Sequence, residues 1–400
     1  MFCMKQSIGS WQSNPTQPTT VTNITVKAIA NSVGFDLVGV AAAEPTLEAL
    51  FYPEWLSRGY AGEMDYLKGH PGEMRQDPKT LLPGARSIIC VGLVYNSPGP
   101  YSVEVEASGQ GWISRYAWGK DYHAILREKL LALAEALQAE QGPFHYKICV
   151  DTAPLLERAY ARQAGLGWIA KNTCLINQQL GSWIFLGELI TSLDLEPDGP
   201  APARCGTCTR CIDACPTDAL VPTGASEGPA YALDSRRCIS YWTIELRGPI
   251  PEENRAEVGQ HLFGCDICQD VCPWNRRAAV TDAEEFQPKN QLPDLKELAE
   301  MSADQFRSRY GSSAVERTRY RGFLRNVAVA LGNSGNREFL EPLRRLARHD
   351  DEVVREHAEW AITRIEQGRR ESSPFRELAA SRQPDSSRKT VTHKEIGRRT

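Results

Sequence analysis

Residues 205–216 read Cys205-Gly206-Thr207-Cys208-Thr209-Arg210-Cys211-Ile212-Asp213-Ala214-Cys215-Pro216, four cysteines with a proline after the last. This spacing, C-x2-C-x2-C-x3-C-P, is that of bacterial ferredoxins, which bind 4Fe–4S clusters through cysteine thiolates. A second run, made of Cys238, Cys265, Cys268 and Cys272-Pro273, repeats the pattern with a longer first interval. The two runs together predict a module that holds two 4Fe–4S clusters.

The ligands of each cluster follow from the short loops. In two-cluster ferredoxins the fourth cysteine of each run ligates the other cluster. The two predicted ligand sets are therefore Cys205, Cys208, Cys211 and Cys272 for the first cluster, and Cys215, Cys238, Cys265 and Cys268 for the second. Zinc sites and a disulfide framework are alternatives, because both also use sets of cysteines. The proline that follows the last cysteine in both runs fits zinc ribbons poorly.

The chain is much longer than a cluster module requires. Its 400 residues predict two or three domains, and the contents of 42% hydrophobic and 24% charged residues are typical of globular proteins. No apolar run approaches the roughly 18 residues of a membrane span. The first residues lack the apolar segment of an export signal. Together with the thiolate ligands, this favours the reducing cytoplasm.

The sequence pattern predicts an α/β domain with a mixed sheet, followed by the cluster module and a helical part. We expect helices over 25–33, 47–58, 122–141 and 155–164, strands over 37–42, 88–95 and 146–150, and a hairpin of 173–177 with 182–191. Helix pairs repeating about every 30 residues near the C-terminus are typical of HEAT-type elements. The predicted segments are 1–22 (disordered extension), 23–194 (α/β domain), 195–277 (cluster module), 298–367 (helical part) and 368–400 (disordered basic tail).

Charge is distributed unevenly along the chain. Residues 301–400 carry 21 Lys and Arg against 14 Asp and Glu, whereas the first 300 carry 25 against 36. A positive C-terminal quarter on a chain with a net charge of −4 is the place where a phosphate backbone would bind, although most basic tails are only solvated surface.

Two further residues are candidates for chemistry. Asp151 follows an apolar strand at the start of a predicted helix, where it would serve as the N-cap or as a general acid with a pKa raised by desolvation. His123 lies in Asp121-Tyr122-His123, which partly matches a cobalamin signature, but Leu126 stands at the position of its glycine. A place at the start of a helix is the simpler interpretation of His123. Cys90 and Cys149 lie in apolar strands and are expected in the core.

Taken together, these residues resemble the epoxyqueuosine reductase family over roughly residues 26–365. Besides the cysteine runs, the resemblance rests on Leu81-Leu82-Pro83-Gly84-Ala85-Arg86-Ser87, Arg115-Tyr116-Ala117-Trp118-Gly119-Lys120-Asp121-Tyr122-His123, Val150-Asp151-Thr152-Ala153-Pro154, Gly167-Trp168-Ile169-Ala170-Lys171-Asn172-Thr173 and Arg237-Cys238-Ile239-Ser240-Tyr241. The chain departs from the family pattern at Ala170, where glycine is usual, and in a longer loop over 221–232.

The resemblance implies a nitroreductase-like α/β domain that binds cobalamin, two 4Fe–4S clusters and a HEAT-like helical part. It implies reduction of epoxyqueuosine to queuosine at the wobble position of tRNA, the last step of queuosine biosynthesis, with Asp151 as proton donor. The cobalamin contacts that it implies are Arg75, Asp151, Asn172, Ser235 and Ser240, and Arg247 is implied on the substrate side. The implied partners are a tRNA anticodon stem-loop and an external low-potential electron donor, and we expect a monomer.

Three other functions fit parts of the sequence. A reductive dehalogenase would use the same cofactors but usually carries a twin-arginine signal, which this sequence lacks. A simple electron carrier would leave roughly 300 residues without a role, well beyond one typical domain. A tRNA-binding module with structural zinc is the third, and iron and sulfide analysis separates it from the others.

Overall fold

The α/β part begins the described chain and is built around one four-stranded sheet. This computed structural model describes residues 22–105, 109–225 and 228–368. The elements of the first part are α1 (Asn23–Val33), β1 (Leu37–Ala42), α2 (Leu47–Ser57), α3 (Gly69–Met74), β2 (Ser87–Val94), β3 (Trp112–Ile113), α4 (Tyr122–Gln141), β4 (Tyr146–Cys149), α5 (Glu157–Gln163), β5 (Trp168–Ile169), β6 (Leu175–Ile176) and β7 (Ile184–Thr191). The predicted extension and tail lie outside the described residues except for their inner ends, Thr22 and Gly368.

The cluster module and the helical part follow the α/β part. From residue 228 onward they form one continuous stretch of described chain. The elements of the module are α6 (Arg210–Asp213), β8 (Leu220–Pro222), β9 (Tyr231–Leu233), α7 (Ile239–Ile244), β10 (His261–Phe263) and α8 (Ile267–Asp270). The helical part contains α9 (Leu295–Ala299), α10 (Ala303–Tyr310), α11 (Arg319–Ser334), α12 (Leu340–Leu346) and α13 (Glu352–Glu366). Among the described residues, no helix is both long and apolar enough to cross a membrane.

Single turns of 3-10 helix connect many of these elements. Their bounds are Asp65–Leu67, Pro78–Thr80, Ser102–Glu104, Arg115–Ala117, Ser235–Arg237, Glu252–Asn254, Pro273–Asn275, Glu284–Phe286, Ala314–Thr318 and Arg337–Phe339.

The main sheet is antiparallel throughout, which corrects the predicted mixed sheet. Its strand order is β1-β2-β7-β4, and each of the three pairings is antiparallel. A parallel pair occurs elsewhere, where β3 pairs with β10 and joins the α/β part to the cluster module. The sheet positions Asp151, because β4 ends at Cys149, two residues before it.

The predicted hairpin of 173–177 with 182–191 is wrong in its pairing. β7 lies inside the sheet between β2 and β4, whereas β6 pairs with β5. The turn itself remains, since Asn177 and Gly181 form an isolated bridge. β7 is almost entirely buried and apolar, and such a strand is satisfied by two neighbouring strands better than by one.

Helix α4 was predicted with its observed bounds because both of its ends and its apolar face are explicit in the sequence. The Asp121 carboxylate accepts a hydrogen bond from the His123 N–H and caps the first turn, and Gly142 ends the helix with a φ of 90°. Leu126, Leu130 and Leu133 are completely buried. Each such leucine stabilises the fold by roughly 1.5–3 kcal/mol.

Helix α11 fixes the C-terminal helices to the cluster module through polar contacts inside the core. The Asn326 amide donates to the Thr243 carbonyl at 2.9 Å and to the Leu262 carbonyl at 2.8 Å. The guanidinium of Arg325 donates to the carbonyls of Leu246 and Gly248, both at 2.8 Å. Both side chains are nearly inaccessible to solvent, so the helical part is an integral part of the molecule.

Candidate functional site

The first predicted ligand set encloses a small cavity. Cys205, Cys208, Cys211 and Cys272 line a space of about 100 Å³ together with the hairpin of β5 and β6. Burial, together with the charges of the other three cysteines, raises the pKa of the Cys211 thiol to about 12. Four thiols that influence one another in this way stand close together around one site.

The second predicted set lies on the wall of a larger cavity of about 760 Å³. Cys215 follows α6, Cys238 precedes α7, Cys265 follows β10 and Cys268 is in α8. Burial raises the pKa of Cys265 well above its usual value, with further contributions from the charges of Cys238 and Cys215. The structure thus brings together the same two sets of thiols that the spacing predicts.

Neither set converges on a single point. Among the described residues, no group of three or more His, Cys, Asp or Glu side chains is arranged to hold one metal ion. A 4Fe–4S cluster binds its four cysteines through four different irons, so its ligands surround a volume instead. Four thiols around a cavity fit this requirement.

Opposite the second set, the large cavity is lined by an imidazole between two carboxylates. His123 Nδ1 lies 2.6 Å from Asp121 Oδ1, and His123 Nε2 lies 3.1 Å from Asp151 Oδ2. The two hydrogen bonds raise the pKa of His123 to about 9, although burial opposes them. At neutral pH His123 is therefore protonated, and its Nε2–H donates to Asp151.

The structure corrects the predicted cap role of Asp151 and the predicted direction of its pKa shift. Helix α5 begins at Glu157 with Leu156 as its N-cap and no side-chain cap, so Asp151 does not cap it. Asp151 instead has a φ of 47° and turns its carboxylate into the cavity, where 41% of the side chain is exposed. Burial raises the pKa of Asp151, but the hydrogen bond and charge of His123, with Arg317 and Arg158, outweigh it and lower the pKa below its usual value.

Two glutamates, the partly buried Glu157 and the completely buried Glu188, lie next to the Asp151 loop. The Asp151 N–H donates to Glu157 Oε1 at 2.5 Å, which holds the backbone at the point of its positive φ. Burial and the charge of Asp151 raise the pKa of Glu157 to about 7. Glu188 is completely buried, and burial raises its pKa well above the usual value. The loop that presents Asp151 is thus supported from inside the sheet.

Arginines form the rim of the cavity on the side of the helical part. Arg317 Nε lies 2.7 Å from Glu245, and its Nη1 lies 3.7 Å from Asp151. The guanidinium of Arg247 donates to the Arg317 carbonyl at 3.1 Å. Arg319 is exposed, lines the same cavity and has a φ of 60°. These cations make the entrance suitable for an anionic ligand.

The predicted contact residues fall into two groups. Asn172, Ser240 and Arg247 line the large cavity together with Asp151. Arg75 and Ser235 are buried and do not belong to its wall; Arg75 donates to the Tyr66 carbonyl, and the Ser235 N–H donates to the Tyr60 carbonyl. Since Tyr66 lines the cavity, Arg75 contacts a residue of the cavity wall without belonging to the wall itself.

Sequence reasoning missed three groups of the site: Arg317, Glu157 and Cys174. A hydrogen bond from Cys268 lowers the pKa of the Cys174 thiol to about 7, although burial opposes it. No local motif marks Arg317 or Glu157, since both reach Asp151 only through tertiary contacts. The segment Asp121-Tyr122-His123 did carry a signal, but the imidazole points to Asp151.

The arrangement combines an electron path with a proton source around one space. Thiols of one predicted cluster and the His123–Asp151 pair line the same cavity. A cavity of about 760 Å³ is within the range that proteins use for large organic ligands and cofactors. The site can therefore deliver electrons and protons to the same bound molecule.

Two sequence families match the chain. The family described as "Epoxyqueuosine reductase QueG, DUF1730" matches residues 75–152, and "4Fe-4S double cluster binding domain" matches residues 204–275. An epoxyqueuosine reductase of Pseudomonas aeruginosa is 44% identical over 345 residues, which are 85% of this chain and 93% of the relative. One of Xanthomonas campestris pv. campestris is 42% identical over 342 residues, 84% of this chain and 94% of the relative.

Solved structures of epoxyqueuosine reductases are also similar to this chain. An epoxyqueuosine reductase with a tRNA-Tyr epoxyqueuosine-modified stem loop superposes with a TM-score of 0.77 at 32% identity, covering 93% of this chain and 96% of that one. A Bacillus subtilis structure in which a catalytic aspartate loop is swung out of the active site has a TM-score of 0.75 at 32% identity, with the same coverage. The enzyme of Streptococcus thermophilus has a TM-score of 0.76 at 28% identity, again covering 93% and 96%.

Proposed function

The chain belongs to the epoxyqueuosine reductase family, and from that premise we propose that it reduces epoxyqueuosine to queuosine in tRNA. Reducing an epoxide to an alkene consumes two electrons and two protons and releases one water. The observation that carries the proposal is the large cavity, whose wall contains both four cysteines of a cluster-binding set and the His123–Asp151 pair. The substrate's identity comes from the relatives.

The electrons reach the cavity through the cysteine-bound clusters. Residues 204–275 are a 4Fe–4S double-cluster domain. We assign Cys205, Cys208, Cys211 and Cys272 to one cluster, and Cys215, Cys238, Cys265 and Cys268 to the other, because each set encloses or lines its own cavity. The second set lines the substrate cavity, so its cluster would be the one nearer to the bound cofactor and substrate.

The remaining space fits cobalamin, which the family resemblance implies. The cavity offers volume for a large macrocycle beside the second set, with the Asn172 amide and the Ser240 hydroxyl as polar contacts. When bound, cobalamin supplies the strongly reducing cobalt centre that opening an epoxide requires. Arg75 and Ser235 remain predicted contacts that would act through the residues in front of them.

Protons come from the His123–Asp151 pair. The substrate's oxygen leaves as water, so it accepts two protons in succession. Asp151 is ionised at neutral pH because its pKa is lowered, and the proton resides on His123, whose pKa is raised to about 9. We infer that Asp151 touches the substrate oxygen and passes to it one proton from His123 Nε2 across their 3.1 Å contact. Solvent water then reprotonates His123, whose side chain is 31% exposed, and this supplies the second proton.

The tRNA approaches over the arginine rim. A nucleotide of the anticodon loop must leave its stack to reach a cavity of this depth, as bases do in other modifying enzymes. Arg247, Arg317 and Arg319 line the entrance and offer positive charge to the flanking phosphates. The anticodon stem-loop is thus the part of the tRNA that we expect to bind.

The test is reduction of epoxyqueuosine-containing tRNA by anaerobically reconstituted protein, with nucleoside analysis of the product. Asp151→Asn keeps the size of the side chain but can no longer carry a proton between His123 and the substrate. We expect wild-type protein to form queuosine and the variant to be slower by about 10²–10⁴-fold, the usual contribution of a general acid.

Asp304→Asn is the matched control, because Asp304 is an exposed carboxylate that pairs only locally with Arg307. It should turn over like the wild type, with equal iron and cobalamin contents in all three proteins. Full activity of Asp151→Asn would remove Asp151 from the mechanism. Turnover that does not depend on cobalamin would overturn the cofactor assignment and favour a two-cluster electron carrier.

Several finer assignments belong to the same proposal. We assign residues 23–194 to a nitroreductase-like cobalamin domain, 195–277 to the cluster module and 298–367 to a HEAT-like part. We propose that the protein is a monomer. We also propose that it is located in the cytoplasm, because its eight thiol ligands must stay reduced. Sedimentation of the reconstituted protein tests the oligomeric state.

A further inference from the structure

The two predicted cluster sites differ in what they face. Cys215, Cys238, Cys265 and Cys268 line the substrate cavity, whereas Cys205, Cys208, Cys211 and Cys272 surround the smaller one. Asn172 is the one residue that lines both cavities. The cysteines of the first site thus lie outside the wall of the substrate cavity. The first site lies near the protein surface, because the residues that line its cavity include the exposed Arg204, Arg210 and Pro273.

Exposed cations surround the first site. Arg204 and Arg210 line its cavity, and Arg276 and Arg277 follow the turn that begins after Cys272; all four are exposed. Within the described residues, none of these four guanidinium groups takes part in an ion pair or a side-chain hydrogen bond. We call these four residues the arginine patch.

Few acids offset the arginine patch locally. Between residues 199 and 217 the one acidic residue is Asp213, whose carboxylate accepts a hydrogen bond from Thr209. Lys171 adds a further cation, which donates to the carbonyls of Gly206 and Cys208 at 2.9 and 3.0 Å. The patch is therefore positive on a chain whose net charge is −4.

Small apolar groups lie among these charges. Pro202, Ala203 and Pro273 are exposed, and Trp274 is partly exposed next to Trp168. A small surface that mixes apolar contacts with unpaired charges is typical of transient electron-transfer complexes, which need rapid association more than high affinity. Unpaired arginines also lose no existing partner when a carboxylate approaches them.

We propose that the arginine patch is the docking surface for an acidic one-electron carrier protein, which reduces the first cluster. This proposal rests on the proposed function and names its electron partner. In each encounter the reduced carrier gives one electron to the oxidised first cluster and leaves oxidised. Two encounters supply the two electrons that, with two protons, convert one epoxide into an alkene and water.

The experiment compares Arg276→Glu/Arg277→Glu, two exposed members of the patch that do not line the cluster cavity, with wild type, using a purified acidic bacterial flavodoxin as the probe. Reversing two charges should raise the KM for reduced flavodoxin by about tenfold and lower the association rate most at low salt. Reduction driven by dithionite and methyl viologen should stay unchanged, because a small reductant needs no docking surface. A calorimetric titration with oxidised flavodoxin measures the same loss of affinity without turnover.

Arg337→Glu/Arg348→Glu is the matched control, since these arginines are exposed on the helical part and, within the described residues, form no ion pair. It should bind flavodoxin like the wild type. Unchanged flavodoxin binding in Arg276→Glu/Arg277→Glu would overturn the proposal.

Two other outcomes would also overturn it. Equal loss with both reductants and a lower iron content would mean that the arginines support the cluster. Weaker tRNA binding with normal flavodoxin binding would make the patch a nucleic-acid surface. If wild-type protein fails with the chemical reductant, the proposed function is at fault, and the titration still decides whether the carrier docks here.

Discussion

His123 has a role that depends on two carboxylates brought to it by different segments. Asp121 precedes it on the same helix, and Asp151 comes from the loop after β4. The pKa of His123 is raised above the unfolded value of roughly 6.5 to about 9. Its hydrogen bonds therefore add stability that is fully present below pH ~6.5 and is lost as the pH rises through about 9. Across neutral pH the pair retains one proton.

Loss of this proton at high pH should lower the rate of the reaction on the alkaline side of the pH profile. With pre-reduced enzyme, the single-turnover rate should fall as the pH rises through about 9. His123→Gln keeps a donor to Asp151 but holds no exchangeable imidazolium proton, so it should be slower by about 10–10²-fold and lack that limb. The measurement is the rate from pH 6 to 10, with cluster spectra as the control. The same alkaline limb in both proteins would show that His123 is not the source.

At the scale of residues, spacing predicted the cysteines but not the acid–base pair. A 4Fe–4S cluster requires four thiolates, and the spacing of residues 205–216 supplies three for one cluster and a fourth cysteine for the other. The raised pKa of His123 depends instead on the path of the loop that carries Asp151. The positive φ of Asp151 is part of the turn that brings its carboxylate next to His123. The expected raised pKa of Asp151 was wrong, because the cations that lower it, His123, Arg317 and Arg158, come from distant segments that local sequence does not bring together.

At the scale of elements, local signals predicted single helices and strands better than their partners. Helix α4 carries its cap, its apolar face and its terminating glycine within its own sequence. The pairing of β7 with β2 and β4 depends on segments about 100 and 40 residues away, so no local pattern specifies it. The same holds for α11, whose contacts lie on residues 242–262.

Arg325, the buried cation of α11, gives a prediction for how strongly this helix is held on the cluster module. Arg325 is 1% exposed and donates to the carbonyls of Trp242, Leu246 and Gly248. Arg325→Met should lower the free energy of unfolding by about 3–5 kcal/mol, because it leaves buried carbonyls without donors. Anaerobic denaturant titration measures the change.

Arg344→Met is the matched control for this experiment, since Arg344 is exposed on α12 and its ion pairs are 3.9 Å long. It should change the free energy of unfolding by less than about 0.5 kcal/mol. A loss below about 1 kcal/mol for Arg325→Met would show that water replaces the guanidinium and that α11 is held by its apolar face alone.

At the scale of the whole molecule, the positive charge of the C-terminal quarter is not spread evenly over it. Most of the excess lies in the last 32 residues and not in the helical part. Residues 301–368 carry 12 Lys and Arg against 10 Asp and Glu, whereas 369–400 carry 9 against 4 and lie outside the described residues. The helical part is thus nearly neutral in total. Its Arg317 and Arg319 nevertheless stand at the cavity entrance, where position matters more than net charge.

This placement changes how tRNA binding is tested. Removing the helical part would expose the carbonyl partners of Arg325 and Asn326 on the cluster module, so a deletion disturbs the clusters as well. A point substitution at the rim leaves these contacts intact. Arg319 is the suitable residue, because it is exposed, lines the cavity and forms no ion pair among the described residues.

Arg319→Gln should weaken binding of the epoxyqueuosine stem-loop and make its salt dependence shallower. One lost phosphate contact reduces the slope of log Kd against log salt by about one unit and leaves the chemical step of bound substrate unchanged. Fluorescence anisotropy at several salt concentrations measures the slope, and Arg348→Gln, on the exposed face of the helical part, should retain the wild-type value. An unchanged slope for Arg319→Gln would place the tRNA backbone away from this rim, and the substrate base would then have to enter from the side of Asn172 and Ser240, which line the same cavity.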